Sequence, residues 1–150
     1  MRVFITGATG FIGRALTLRL LGRGYQVTAW VRNENSARNL LGSDVELVST
    51  NSNIGEQISR VDAVINLAGE PVLAGRWTPS RKRAIVESRL NLTRAIATAI
   101  AGSPSRLSVL ISASAVGYYG DRGDETVEDD APAGNDFLAT LCRDWEAAAL

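Results

Sequence analysis

Short β-branched runs alternate along this chain with segments whose apolar residues recur every three or four positions, a pattern that predicts strand–helix units around a parallel sheet. Arg2–Thr6 reads as a buried first strand. A helix is expected over Gly10–Leu21, with Ile12, Leu16 and Leu20 on its inner face and Gly22 and Gly24 at its end. Gln26–Val31 predicts a second strand, Ser36–Leu41 a weak helix and Val45–Val48 a third strand. The polar stretch Ser49–Asn53 predicts a loop, followed by a short helix around Ile54–Ser59. Val61–Leu67 (VDAVINL) is the clearest central strand, and Pro79–Ala101 a long helix whose inner face carries Ile85, Ser88, Leu92, Ala95, Ile96 and Ala99. Leu107–Ser112 predicts a fifth strand, then come a Gly/Tyr-rich turn, an acidic loop at Asp121–Asp130 and a final helix from Asn135 onward. The pattern shows neither an internal repeat nor a linker, so one domain is expected.

Between the first strand and its helix lies Gly7-Ala8-Thr9-Gly10-Phe11-Ile12-Gly13. Strand, glycine turn, helix is the context of a dinucleotide fingerprint, and it predicts a Rossmann-type, doubly wound α/β fold of three αβα layers with about five strands in the order 3-2-1-4-5. Gly7 permits the tight turn, Gly10 lets a pyrophosphate approach backbone N–H groups, and Gly13 lets helix and strand pack closely. The helix start adds roughly half a positive charge facing the phosphates. No Gly-Lys-Ser/Thr follows, which argues against a nucleoside-triphosphate P-loop. The end of the second strand selects the cofactor: an acid there would accept from ribose hydroxyls, whereas Arg32 would pair with a 2′-phosphate. NADP(H) is therefore expected over NAD(H).

Composition narrows the chemistry. Sixteen basic residues balance sixteen acidic ones, so no global field favours nucleic acid or an anionic membrane. There is no histidine, which removes the usual general base and the commonest zinc ligand, and a single cysteine excludes an internal disulfide or a cysteine metal cluster. No metal site is expected. Cys142 sits in an apolar helical stretch and reads as a buried structural thiol. No apolar run approaches a membrane helix and nothing resembles a signal peptide, so a cytoplasmic location is the expectation.

TGATGFIGRAL, RGYQVTAWVR, VDAVINLAGEP, GRWTPSRKRAIVESRL, SASAVGYYGDRGDE and DFLATLCRDWEAA occur in that order. Together they resemble the epimerase-like, atypical branch of the extended short-chain dehydrogenase/reductases, whose members are NAD-dependent epimerase/dehydratase or nucleoside-diphosphate-sugar epimerase proteins. The resemblance covers nearly the whole chain. It implies that Gly7, Thr9, Gly10, Phe11 and Ile12 line the pyrophosphate, that Arg32 meets the 2′-phosphate, and that Leu67, Ala68, Gly69 and Glu70 lie along the adenosine and the nicotinamide-side ribose. It further implies a small-molecule substrate of the nucleotide-sugar kind. Residues 1–150 would form the cofactor domain, with the C-terminal substrate-binding part absent. The chain then reads as the front portion of a longer protein, inactive alone, and the missing strands would leave surface for self-association.

The same resemblance implies a catalytic serine after the fifth strand, for which Ser114 fits best, and a Tyr-x-x-x-Lys on the following helix. That helix contains neither Tyr nor Lys, and Leu138 and Cys142 stand at the two positions. Tyr118 and Tyr119 are then the candidate acid/base groups, although a phenol near its usual pKa of about 10 needs a neighbouring charge to act. The alternative is a non-catalytic NADP(H)-binding sensor or scaffold module. Arg76 is a candidate contact for an anionic substrate, and the resemblance puts Arg89 where many relatives have an active-site Asn, while Arg81–Arg83 reads as a solvated helix face with Glu87 as ion-pair partner. The acids of Asp121–Asp130 read as a solvated surface loop.

Overall fold

The structure, a computed structural model, describes residues 1–103 and 107–150. Five strands form one parallel sheet in the order β3-β2-β1-β4-β5, with β1 Arg2–Thr6, β2 Gln26–Val31, β3 Glu46–Ser49, β4 Ala63–Asn66 and β5 Val109–Ser112. The helices are α1 Phe11–Leu21, α2 Glu34–Leu41, α3 Ile54–Ile58, α4 Pro79–Ala101 and α5 Phe137–Ala147. Elements lie within a few residues of their expected bounds, the usual disagreement at frayed ends.

Strand alternation sorts the apolar side chains into two layers. Val3, Ile5, Val27, Ala29 and Ile65 face α1 and α2, where Leu16, Leu20, Ala37 and Leu41 meet them. Phe4 and Val64 face the other way, onto Ile58 of α3 and Ile96 of α4. A third cluster, Ile85, Leu90, Leu141 and Trp145, docks α5 on α4.

Two helix faces differ from expectation. Ile12 is not on the inner face of α1 but 65% exposed; Gly13 and Thr17 are buried there instead. The start of α1 is pressed so closely onto the glycine turn that its inner face has no room for a side chain. On α4 the buried residues are Ile85, Leu90, Thr93 and Ile96, whereas Ala95 is exposed. Ile96 packs towards the sheet while Ile85 and Leu90 pack with α5, so one helix carries two inner stripes and a single-stripe reading misplaces residues between them.

Register aligns the carboxyl ends of four strands. Trp30 pairs with Thr6, Thr6 with Asn66, and Asn66 with Ser112. A buried polar network ties this row to the helices behind it. Thr6 Oγ1 donates to Asn66 Oδ1 at 2.7 Å, and Asn66 Nδ2 donates to Thr93 Oγ1 at 2.9 Å. Trp145 Nε1 donates to the same hydroxyl, also at 2.9 Å. The row is thereby held rigid where its loops begin. Among the described residues, no helix is long and apolar enough to cross a membrane.

Candidate functional site

The glycine turn after β1 explains each of its glycines. Gly7 has φ +72°, a left-handed conformation, and a Cβ there would come 2.7 Å from the Leu67 carbonyl carbon. A Cβ on Gly13 would lie 2.1 Å from the Gly7 carbonyl oxygen. Gly10 is the N-cap of α1 and, unlike Asn33, Asn53, Thr78 and Asp136 at the starts of α2 to α5, it offers no side-chain hydrogen bond. The first turn of α1 also contains no acid. Its leading N–H groups and the positive end of its dipole are therefore left for an external anion.

This turn forms the floor of a cavity of about 390 Å³. Gly7, Thr9 and Gly10 lie at its centre, Trp30, Arg32 and Thr50 at one end, and Leu67, Ala68, Gly69 and Glu70 at the other. The cavity thus brings together eight of the ten residues expected to hold the cofactor. Phe11 (96% exposed) and Ile12 are outside its lining, with their side chains turned to solvent. Only their backbone N–H groups are placed to serve the turn. Trp30, Thr50 and Ser88 line the cavity beyond the expected set; the signal for Trp30 is its place two positions before Arg32 at the same strand end.

Charge and donors are distributed unevenly around this cavity. Arg32 is exposed and makes no hydrogen bond or ion pair with any described residue. Trp30 Nε1 is buried without an acceptor among the described residues. Glu70 is already engaged: its carboxylate binds Arg81 Nη1 at 2.8 Å, and its N–H donates to Ser88 Oγ at 3.0 Å. This corrects the expected solvated Arg81–Glu87 arrangement, because Arg81 turns back over the loop and also donates to the Pro71 carbonyl. Arg76 is exposed on the same loop.

A second cavity, about 350 Å³, gathers the three catalytic candidates Ser114, Tyr118 and Tyr119 with Asp129 and Glu146. Ser114 stands two residues beyond β5, and its hydroxyl donates to Glu146 Oε1 on α5. Tyr118 and Tyr119 lie on a 3₁₀ turn, Val116–Tyr119, ring edge to ring face with centroids 5.2 Å apart. The Tyr119 hydroxyl donates to the Asp129 carbonyl at 3.1 Å, whereas that of Tyr118 has no partner among the described residues. Glu146 was missed as a site residue, although it falls one helical turn beyond Cys142.

The two positions on α5 that lack Tyr and Lys do face this turn. A Cβ on Gly117 would lie 3.2 Å from Leu138 Cβ, and the Ala115 backbone is close enough to act on the Cys142 thiol. Burial pushes the Cys142 thiol pKa up, Glu146 adds to the rise, and the Ala115 backbone and the Arg89 charge oppose it. Cys142 is thus the buried thiol expected, 3% exposed. The Asp121–Asp130 loop keeps its acids in solvent but is tied at its base, where Arg122 donates to the Tyr119 and Pro132 carbonyls. Among the described residues, no cluster of His, Cys, Asp or Glu is arranged to hold a metal ion.

Residues 3–138 match the family model described as NAD dependent epimerase/dehydratase family. The chain is 37% identical over its whole length to the epimerase family protein SDR39U1 homolog, chloroplastic, of Arabidopsis thaliana, covering 44% of that protein. It is 35% identical to epimerase family protein YfhF of Bacillus subtilis, across 97% of this chain and 48% of that one. A crystal structure of human epimerase family protein SDR39U1 with NADPH superposes with a TM-score of 0.81 at 32% identity, covering 100% of this chain and 49% of that one. The chain spans about half the length of the curated relatives it matches. On the family match and the identity to these relatives, the chain belongs to the NAD dependent epimerase/dehydratase family.

Proposed function

We propose that this chain is the NADP(H)-binding domain of an epimerase- or dehydratase-type oxidoreductase acting on a nucleotide sugar or a substrate of like chemistry. The observation that carries the reading is the start of α1, which lacks both a side-chain cap and an acid and opens on the cavity that Arg32 borders. Its N–H groups suit pyrophosphate oxygens, and the unpaired Arg32 guanidinium suits a 2′-phosphate in bidentate contact. The human relative crystallised with NADPH supports the same cofactor.

When bound, the dinucleotide supplies hydride acceptance and donation. The residues of this chain bind and orient. Gly7, Thr9 and Gly10, with the backbone of Phe11 and Ile12, hold the pyrophosphate; Leu67–Glu70 flank the nicotinamide-side ribose. Ser114, oriented by Glu146, holds a substrate oxygen, and Tyr118 is the hydroxyl free to exchange a proton. Tyr119 enters the chemistry only when its bond to Asp129 opens.

Titration with NADPH and NADH, followed by tryptophan fluorescence, tests the reading, since Trp30 lines the cavity. Tighter NADPH is expected; absence of binding overturns the cofactor assignment. NADPH binding without turnover of any nucleotide-sugar substrate by the longer protein would instead favour a non-catalytic cofactor-binding module, for which the missing Tyr and Lys on α5 speak. We further propose that the chain self-associates along β5, one of the two outer strands, where Val109 is 39% and Ile111 50% exposed. A monomer in size-exclusion chromatography would remove that proposal.

A further inference from the structure

Arg89 projects from α4 into the angle between Leu67–Glu70 and α5. Its guanidinium carbon lies 5.1 Å from the centroid of the Trp145 ring, within cation–π range. Nη1 donates to the Glu70 carbonyl at 3.0 Å and to the Ile85 carbonyl at 3.1 Å. Nε and Nη2 have no acceptor among the described residues, and no described carboxylate forms an ion pair with the group. Burial pulls its pKa down, with the Cys142 and Glu70 charges opposing the shift. A guanidinium half drawn out of water without a carboxylate partner carries part of a desolvation cost that an external acceptor would offset.

Arg89 is not itself in the lining of the first cavity but packs behind it, with Cζ, Nη2 and Nε against Gly69. A Cβ on Gly69 would come 2.8 Å from Arg89 Cζ, 3.0 Å from Nη2 and 3.2 Å from Nε. Gly69 lines the first cavity, so the fork of Arg89 lies directly against a bare stretch of its lining backbone. On its other side it meets the Trp145 ring of α5, and Glu146, the next residue on that helix, lines the second cavity. Arg89 therefore stands between the two cavities. The sheet order puts it on the opposite side of the glycine turn from Arg32: β2 carries Arg32 at its end, β1 the turn, and β4 and β5 the ground beside Arg89. From β2 to β5 this edge runs about 14 Å at the usual strand spacing.

We propose that Arg89 is a second cofactor-binding cation, whose Nε and Nη2 hold oxygens of the nicotinamide-side ribose and its phosphate while Arg32 holds the 2′-phosphate. The inference rests on the NADP(H) reading above. It separates the two arginines by function: one selects the phosphorylated adenosine, and the other places the reactive end against the Ser114 cavity.

The test compares NADPH with adenosine 2′,5′-bisphosphate, which ends before the second ribose, by calorimetric titration of the wild type, Arg89→Met and Arg89→Lys. Arg89→Met should weaken NADPH about tenfold or more, as expected for losing charge-assisted hydrogen bonds, and leave the bisphosphate within about twofold. Arg89→Lys keeps the charge but loses the planar fork, so it should show the same selective loss to a smaller degree, and it serves where the methionine variant does not fold. Equal loss of both ligands would overturn the proposal, because Arg89 would then only prop the Gly69–Glu70 segment. So would no loss of either. A wild-type chain that binds the bisphosphate and not NADPH also overturns it, whereas one that binds neither ligand strikes the cofactor reading itself.

Discussion

The hydroxyl of Thr93 on α4 accepts hydrogen bonds from both Asn66 Nδ2 and Trp145 Nε1, each at 2.9 Å, and so joins the end of β4 to α5. All three side chains are buried, at 1% exposure for Thr93 and Asn66 and 5% for Trp145. Replacing Thr93 with valine keeps the shape, strands Trp145 Nε1 and leaves Asn66 Nδ2 only its 3.4 Å bond to Ser112 Oγ. The expected loss is about 2–4 kcal/mol, a fall of roughly 5–15 °C in Tm for a domain of this size. Calorimetry checks it, and a change of a degree or two would mean that water reaches the site.

Gly13 and Gly24 make a paired test of close approach against backbone conformation. Gly13→Ala drives a Cβ to 2.1 Å from the Gly7 oxygen, so backbone must move; the expected cost is about 3 kcal/mol together with loss of NADPH binding. Gly24 has φ +77° and nothing within 4 Å of its would-be Cβ. Gly24→Ala should cost only about 1 kcal/mol of conformational strain and leave binding intact. Urea unfolding and NADPH titration of both variants distinguish the two effects.

Arg32 has no protein partner among the described residues, so removing it breaks no internal contact. Arg32→Ala should weaken NADPH about 10- to 100-fold with little change in NADH or in unfolding midpoint. Equal weakening of both nucleotides would end its assignment to the 2′-phosphate.

Cys142 should resist alkylation in the folded protein and react promptly once denaturant exposes it, since it is buried and its thiol pKa is raised chiefly by that burial. The folded pKa lies above the unfolded one, so the associated stability is present below about pH 8.5 and is lost as pH rises towards the folded value. Cys142→Ala should flatten that alkaline decline. Rapid labelling of the native thiol by iodoacetamide would contradict the prediction.

Much of this was legible in one dimension because the relevant forces are local or periodic. Apolar runs such as Val3–Ile5 and Ala63–Ile65 announce buried strands, and Gly7, Gly10 and Gly13 announce a turn that tolerates no side chain. Arg32, two residues beyond Trp30, marks the strand end where a phosphate would lie. Helix faces were less legible. Ile12 has the right spacing to be buried, yet the contact of Gly13 with Gly7 turns it outward, and α4 buries Leu90 and Thr93 because it meets both the sheet and α5. The partners of charged side chains were not legible at all. Arg81 finds Glu70 rather than Glu87, Ser114 finds Glu146, and Arg89 lies against Gly69 and Trp145. The sequence by itself determined the fold, the glycine turn and the place of Arg32 at the end of β2, each written in residues close together along the chain. Only the tertiary structure decided which charges are satisfied and which remain open to a ligand, because those pairings depend on strand order and helix docking, which bring together residues far apart in the chain.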